Sequence, residues 1–212
     1  AHKDLTFSMM MNSAISLKET FYKMALLLME QQPSQPLREK FGELGRKGER
    51  QMYTLTGGVN THKGAIWTLG LLVTSAAMNY SERFSVDKIL TTVSLMASIE
   101  DRYVPSENTN GKKAILKYGG TGAKQEAQNG LPHIRNYSLP LYMKKLISND
   151  EKQAKYAALL ILMATLNDTC ILHRGGKAGL QYVQNSARDL LKKNIINEED
   201  LNILNEVLIK KN

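Results

Sequence analysis

Three glycine-rich stretches hold most of the residues in this chain that could do chemistry. The first is Thr56 to Gly64, TGGVNTHKG. Two glycines turn the chain, Asn60 or Thr61 can cap a helix, and His62 and Lys63 follow at once. Cations usually avoid a helix start, because the macrodipole there is already positive. Backbone N–H groups at a helix start also make a ready anion site, and a bound phosphate turns the misplaced cations into ligands. The alternative is an ordinary capped helix whose first side chains point to solvent. The G-x-x-x-x-G-K-[ST] spacing of a P-loop is absent.

The second stretch is Tyr118 to Gly130, YGGTGAKQEAQNG. Gly119, Gly120 and Gly122 precede Lys124 and Glu126, and such a loop either brings backbone amides close to phosphates or forms flexible surface. It follows no strand, so a dinucleotide-binding fold does not apply. The third is Asn167 to Gly176, NDTCILHRGG. It reads as the end of an apolar helix, with His173 and Arg174 near the C-terminus, where cations suit the dipole. Asp168 is the only charged side chain from Tyr156 to Leu172. A carboxylate in such surroundings either pairs with a cation or holds a metal. The histidines strengthen the pattern: His2 opens the chain, His62 and His173 lie in two of the joints, and His133 stands just beyond the other. Glu100 and Asp101, at the end of a helix, precede the long loop and are placed to face the same centre. Neither a zinc spacing nor a Ser-His-Asp elbow is present.

The elements that must position these joints are helices. Met10, Ala14, Leu17, Phe21, Met24 and Leu28 recur at helical spacing and predict one apolar face, ending near QQPSQP. Leu37 to Leu55 predicts a second helix, with Phe41, Leu44 and Met52 inward. His62 to Tyr80 predicts a third, mostly apolar and central. Ser85 caps a fourth, running to about Tyr103. Pro105 to Leu139 is rich in Gly, Asn and Lys and reads as a long functional loop with one or two short helical turns. Asn149 or Asp150 starts another helix, reaching about Asp168, and a further one follows Gly175-Gly176 to about Lys193. The last begins at Asn197, with Glu198, Glu199 and Asp200 in its first turn and Lys210 and Lys211 in its last. Alternating β-branched runs are absent. The expectation is an all-α, single-domain multi-helix bundle over residues 1–212, whose glycine-rich loops form the active site.

Composition narrows the function. The 212 residues, 42% hydrophobic and 23% charged, suit a globular chain with a sizeable core. No apolar run approaches the ~20 residues that cross a bilayer, so no membrane partner is expected. The lone Cys170 excludes an internal disulfide and fits a cytoplasmic setting. The formal charge of +8 points to an anionic partner. Its spread over many helices, without a basic tail, favours small polyanions over nucleic acid. The opening AHKDL carries no methionine and reads as a chain lacking its usual N-terminal segment.

GGVNTHKGAIWTLGLL, GTGAKQEAQNGLP and DTCILHRGG together resemble the triphosphoribosyl-dephospho-CoA synthase family. AHKDL and the Gly45, Glu49, Met52 spacing fit as well, so the resemblance runs from His2 to about Leu191. The chain departs from the family pattern at Lys124-Gln125, usually Arg-Gly, at Cys170, usually Asn, and in lacking an upstream Pro-Gly-Leu-Val run. The resemblance implies a transferase that joins ATP to 3'-dephospho-CoA and releases adenine. The product is the prosthetic-group precursor of the citrate lyase or malonate decarboxylase acyl carrier protein. Its partners would be those two substrates and the transferase pathway that loads the carrier protein.

Displacement at an anomeric carbon passes through an oxocarbenium-like state and asks for a base, a stabilising carboxylate and an acid. On that footing Asn60, Thr61, His62 and Lys63 are expected to bind triphosphate. Gly119, Gly120, Gly122 and Lys124 would close a second phosphate loop, and His173 and Arg174 would hold a further phosphate. Asp4 and Glu126 are candidates for base and ribose-stabilising carboxylate, with Asp168 and His62 also catalytic. Mg²⁺ accompanies ATP, and Asp168 with Glu49 or Asp101 is the candidate metal set. Two other readings stay open: an all-α Mg²⁺-dependent ADP-ribosyl hydrolase, and a basic helical module that binds nucleic acid.

Overall fold

A computed structural model describes residues 5–81, 85–105, 110–148 and 150–210. His2, Asp4, Asn149 and Lys211 lie outside the described residues. Every regular element among those described is helical, as expected. Contacts divide the chain into two compact units, residues 2–106 with Ala127–Gly130, and residues 107–126 with 131–212.

The first unit contains α1 (Phe7–Ser16), α2 (Lys18–Leu28), α3 (Gln35–Leu55), α4 (Lys63–Met78) and α5 (Val86–Ser98). The single first helix expected from periodicity is two, stepped at Leu17. Its buried row is Ser13, Leu17, Thr20, Met24 and Leu28. Met10 and Ala14, expected inward, are exposed, and two hydroxyl residues take inward places. Thr20 faces Gly48 of α3, where a Cβ would stand only 2.8 Å from the threonine methyl. α4 is central, with Ile66, Leu71 and Met78 buried. At Gly70 a Cβ would come within 3.1 Å of Met24 Sδ and 3.2 Å of the Phe41 ring, so the missing side chain lets α2 and α3 close on α4. α5 stops at Ser98, short of the expected Tyr103, because Ile99 turns to extended backbone. Glu100 and Asp101 therefore follow the helix.

The second unit departs furthest from the sequence-based expectation. The expected long loop, Pro105 to Leu139, holds α6 (Asn110–Tyr118), α7 (Ala123–Gln128) and a π-helical turn (Ile134–Ser138), and α8 (Leu139–Leu146) follows it. These helices are short and largely exposed, so they leave little apolar periodicity; on α6 only Ala114 is buried among the described side chains. The π turn precedes Pro140, whose ring nitrogen cannot donate to the turn below it, and the Leu139 N–H reaches back to the Ile134 carbonyl. α9 (Glu151–Thr165) ends before Asp168, and α10 (Thr169–Leu191) begins just after it. Leu160, Ala164, Ala187 and Ile196 form the seam of α9 and α10 and of the segment leading to α11 (Glu198–Lys210). Ala114, Leu172 and Leu180, with Tyr118 and Ile171, pack α6 on α10. Among the described residues no single helix is long and apolar enough to cross a membrane.

Candidate active site

α3 ends in a Schellman turn: Gly57 and Gly58 have φ of 61° and 91°, and the Gly58 N–H donates to the Tyr53 carbonyl at 2.8 Å. Open space surrounds both glycines, so the left-handed backbone, and no crowding, requires them. The buried Thr56 hydroxyl lies 2.8 Å from the Met52 carbonyl and 2.6 Å from that of Val59, which ties the turn down.

The chain then enters α4 under tight control. Asn60 Oδ1 accepts the Lys63 N–H at 3.1 Å, and the His62 N–H donates to Met52 Sδ at 3.1 Å. Two of the donors at the helix start are thus engaged. The next amides, Gly64 and Ala65, come before the first intrahelical acceptor, and space beside Gly64 is open. Lys63 Nζ lies 3.1 Å from Glu49 of α3, both side chains about one-third exposed (32% and 27%). Ser13 of α1, fully buried, places its Oγ 2.6 Å from Thr61 Oγ1 and 3.1 Å from His62 Nδ1. Asn60, Thr61, His62, Lys63 and Glu49 therefore do gather at one helix start. Ser13 joins them without being among the expected site residues; its only sequence signal is a hydroxyl between Met10 and Leu17 on a helix that reads as apolar.

Asp101, a candidate metal ligand, is buried against cations instead. Its Oδ2 sits 2.5 Å from Arg46 Nη1 and 3.5 Å from Arg38 Nη1, and its Oδ1 accepts the Tyr103 N–H at 3.0 Å. Two guanidinium groups neutralise this carboxylate and repel a further cation. Arg38 lies over Phe41 and Trp67, and burial lowers its pKa from the usual arginine value while Asp101 opposes the shift. Gly42 makes the approach feasible: a Cβ there would fall 1.9 Å from Asp101 Oδ2.

In the second unit the other two joints meet each other. A Cβ on Gly120 would contact Asn167 Cβ at 3.8 Å, and one on Gly176 would lie 3.4 Å from the Tyr118 hydroxyl. Gly119 and Gly120 are left-handed, with φ of 75° and 101°. Gly122 is needed for space, since its Cβ would come within 2.7 Å of Ile115 Cδ1. Lys124 is exposed on α7.

Asp168 answers the choice between cation and metal in a third way. It caps α10, with Oδ1 accepting the Cys170 N–H at 2.7 Å and the Ile171 N–H at 3.1 Å. His173 and Arg174, expected near a helix C-terminus, stand instead in the early turns of α10, and both are exposed. The Asp168 carboxylate already covers the first α10 amides, so an anion here would meet the side chains of His173 and Arg174 and not those amides. Burial first, and the Asp168 charge second, push the Cys170 thiol above its usual pKa, with Arg174 pulling the other way.

Glu126, a candidate base, engages one residue with both of its oxygens. Its Oε1 accepts the His133 N–H at 2.9 Å and its Oε2 lies 2.9 Å from His133 Nδ1. The His133 ring also packs beside Tyr137, 6.0 Å between centroids. The pair stands seven positions apart across a left-handed Leu131, so no periodicity announces it. Among the described residues no three His, Cys, Asp or Glu side chains converge as a metal site. Glu49, Asp101 and Asp168 each have a protein partner, so an all-protein Mg²⁺ cage does not fit this set.

A family model described as ATP:dephospho-CoA triphosphoribosyl transferase (CitG) matches residues 1–212. A Pseudomonas syringae pv. tomato protein named "Probable 2-(5''-triphosphoribosyl)-3'-dephosphocoenzyme-A synthase" is 44% identical over 193 residues, covering 90% of this chain and 66% of the relative. A Klebsiella pneumoniae 2-(5''-triphosphoribosyl)-3'-dephosphocoenzyme-A synthase is 42% identical over 192 residues, covering 90% and 68%. The chain thus spans about two thirds of the length of these relatives. No solved structure matches.

Proposed function

The chain belongs to the ATP:dephospho-CoA triphosphoribosyl transferase family, and from that premise we propose that it joins ATP to 3'-dephospho-CoA with release of adenine. The 2'-hydroxyl of dephospho-CoA attacks C1' of the ATP ribose, the bond from C1' to adenine breaks, and the triphosphate survives. The product serves the acyl carrier protein of citrate lyase or malonate decarboxylase, through the transferase that loads it. The lone Cys170 supports a cytoplasmic setting.

The start of α4 carries this reading. A histidine and a lysine stand at the positive end of a helix, each held by a side chain from another helix, Ser13 and Glu49. Such an arrangement costs the empty protein electrostatic energy, which a triphosphate would relieve. We assign the triphosphate to Lys63 Nζ, His62 Nε2, Asn60 Nδ2 and the amides of Gly64 and Ala65. Lys124, the Gly119–Gly122 loop, His173 and Arg174 are assigned to further phosphate. Mg²⁺ fits as a companion of the triphosphate oxygens, which would supply most of its ligands, with Glu49 the adjoining carboxylate.

The base assignment moves from Glu126 to its partner. Both Glu126 oxygens already serve His133, whereas His133 keeps Nε2. The carboxylate orients the ring through Nδ1, and Nε2 takes the proton from the attacking hydroxyl. Glu126 thereby acts through His133 as a positioning residue.

Chromatography of free adenine, with and without dephospho-CoA, tests the function. Adenine that appears from ATP only when dephospho-CoA is present supports it. ADP-ribose products, or salt-sensitive nucleic-acid binding without adenine, would overturn it.

A further inference from the structure

We propose that Ser13 is a positioning residue for His62: its buried hydroxyl holds the imidazole with the ring proton on Nε2, ready to donate to an anion at the start of α4. Ser13 is 0% exposed, and its Oγ stands 2.6 Å from Thr61 Oγ1 and 3.1 Å from His62 Nδ1. A hydroxyl carries one proton and can accept from a second donor. Either proton order pairs the row Thr61 Oγ1, Ser13 Oγ, His62 Nδ1, and an anion beside Nε2 calls for the one in which Ser13 accepts from Thr61 and donates to Nδ1. The bond made at one imidazole nitrogen decides the proton on the other, so Nε2 becomes the N–H. The opposite order, Nδ1–H donating to Ser13, would turn the Nε2 lone pair of a neutral ring toward the anion.

The backbone supports the same orientation. The His62 N–H is held by Met52 Sδ at 3.1 Å and the following N–H by Asn60 Oδ1 at 3.1 Å, so main chain and ring are fixed by separate contacts. A buried hydroxyl without a partner is costly, and Ser13 replaces what would otherwise be an apolar contact between α1 and the joint. Its position on the buried row of α1 and α2, next to Leu17, makes α1 part of the site's frame.

The anion in this inference is the triphosphate of the proposed function, but the first measurement does not depend on it. In the whole chain at mildly alkaline pH, ¹⁵N-resolved NMR reads the His62 tautomer, with the signal assigned by its absence in His62→Gln. The expected result is Nε2–H in the native chain and a mixture of tautomers in Ser13→Ala. A native ring protonated on Nδ1, or a Ser13→Ala ring identical to the native one, overturns the proposal. If Ser13→Ala fails to fold, the native spectrum alone decides. The second measurement is steady-state adenine release. Ser13→Ala is expected to raise KM for ATP about tenfold with little change in kcat, as for loss of an interaction made equally in ground and transition states. An unchanged KM beside a mixed tautomer overturns the anion-donor role. A native chain that releases no adenine counts against the proposed function, and the NMR result then decides the role of Ser13 by itself.

Discussion

Glu126 directs both of its carboxylate oxygens to one residue, His133, taking its backbone N–H at 2.9 Å and lying 2.9 Å from ring Nδ1. A carboxylate so engaged orients a histidine and leaves Nε2 available for proton transfer. Glu126→Gln puts an amide opposite Nδ1 and disturbs that orientation. We expect kcat for adenine release to fall about 100-fold or more, the scale of a lost general base, with a smaller change in KM. Steady-state kinetics checks this. Retention of full kcat would reduce the pair to a clamp on the 126–133 turn.

Lys63→Ala should abolish adenine release while far-UV circular dichroism stays native. Lys63 Nζ is partly exposed and its partner Glu49 can reach solvent, so the fold does not depend on the pair. In the native chain, ATP at about 100 times its Kd should stabilise by about 2.7 kcal/mol. The variant should lose that gain in a thermal melt. An ATP-dependent rise in Tm of the same size in Lys63→Ala would remove the triphosphate from the α4 start.

Asp101→Ala should be severely destabilising. Its carboxylate is 1% exposed and serves Arg46 and Arg38, so truncation leaves two cations without their counter-charge. The loss of a buried partner costs about 3–5 kcal/mol. Gly42→Ala should act through the same carboxylate, since the new Cβ would fall 1.9 Å from Oδ2. The double variant should therefore cost much less than the sum of the singles, measured by urea unfolding. Strict additivity would mean that Gly42 matters for another reason.

Gly176→Ala and Gly175→Ala should behave oppositely. Gly176 interrupts α10 with φ 60° and ψ −164°, a region open essentially to glycine alone. Alanine there should cost about 1–3 kcal/mol. Gly175 sits one residue earlier in open space without a positive φ, so alanine should be neutral or stabilise by up to about 1 kcal/mol. Urea midpoints distinguish the two. Equal effects would refute the assignment of the kink to the Gly176 backbone.

Acid should weaken the fold in a salt-dependent way. Bonds from Arg102 and then Gln35 hold Glu39 below the usual carboxylate pKa. Lys152 does the same for Glu198, and Lys193 for Asp200. A carboxylate whose pKa is lower in the folded state contributes stability that is present above the unfolded value. That contribution is lost as pH falls through the folded value. Thermal melts from about pH 6 down to about pH 3 should show a declining Tm, since unfolded carboxylates titrate near pH 4. The cation of each pair reaches solvent, and Glu198 does as well, so added salt should flatten the decline. A Tm insensitive to salt across that range would exclude them as the cause.

The helical class, the start of α4 and the capping of α5, α9 and α11 are legible in the sequence because each depends on neighbours a few residues away. Ser85 and Asp150 accept the N–H groups three residues on, as their types imply. The end of α9 near Asp168 is legible too, but the start of α10 there is hidden, since the sequence places the next helix only after Gly175-Gly176. Gly175-Gly176 look like a helix boundary, and only folding shows Asp168 beginning α10 and Gly176 as a kink inside it. The short helices between Pro105 and Leu139 resemble loop in sequence because helices that bury a single residue per face carry almost no periodic signal.

Residue type and local spacing by themselves determined that this protein is all-α, that His62 and His173 fall beside glycine pairs, and that His62 and Lys63 begin a helix against its dipole. Tertiary structure alone decided which partner each polar group took. Ser13 reaches His62 across 49 residues, Asp101 meets Arg46 across 55, and Glu126 turns back to His133 through a left-handed residue. Hydrogen bonds and ion pairs depend on separations of a few ångströms in space. A carboxylate's role as cap, counter-ion or orienting group is therefore set by the helices that converge on it, and that convergence is not written at any one position of the chain.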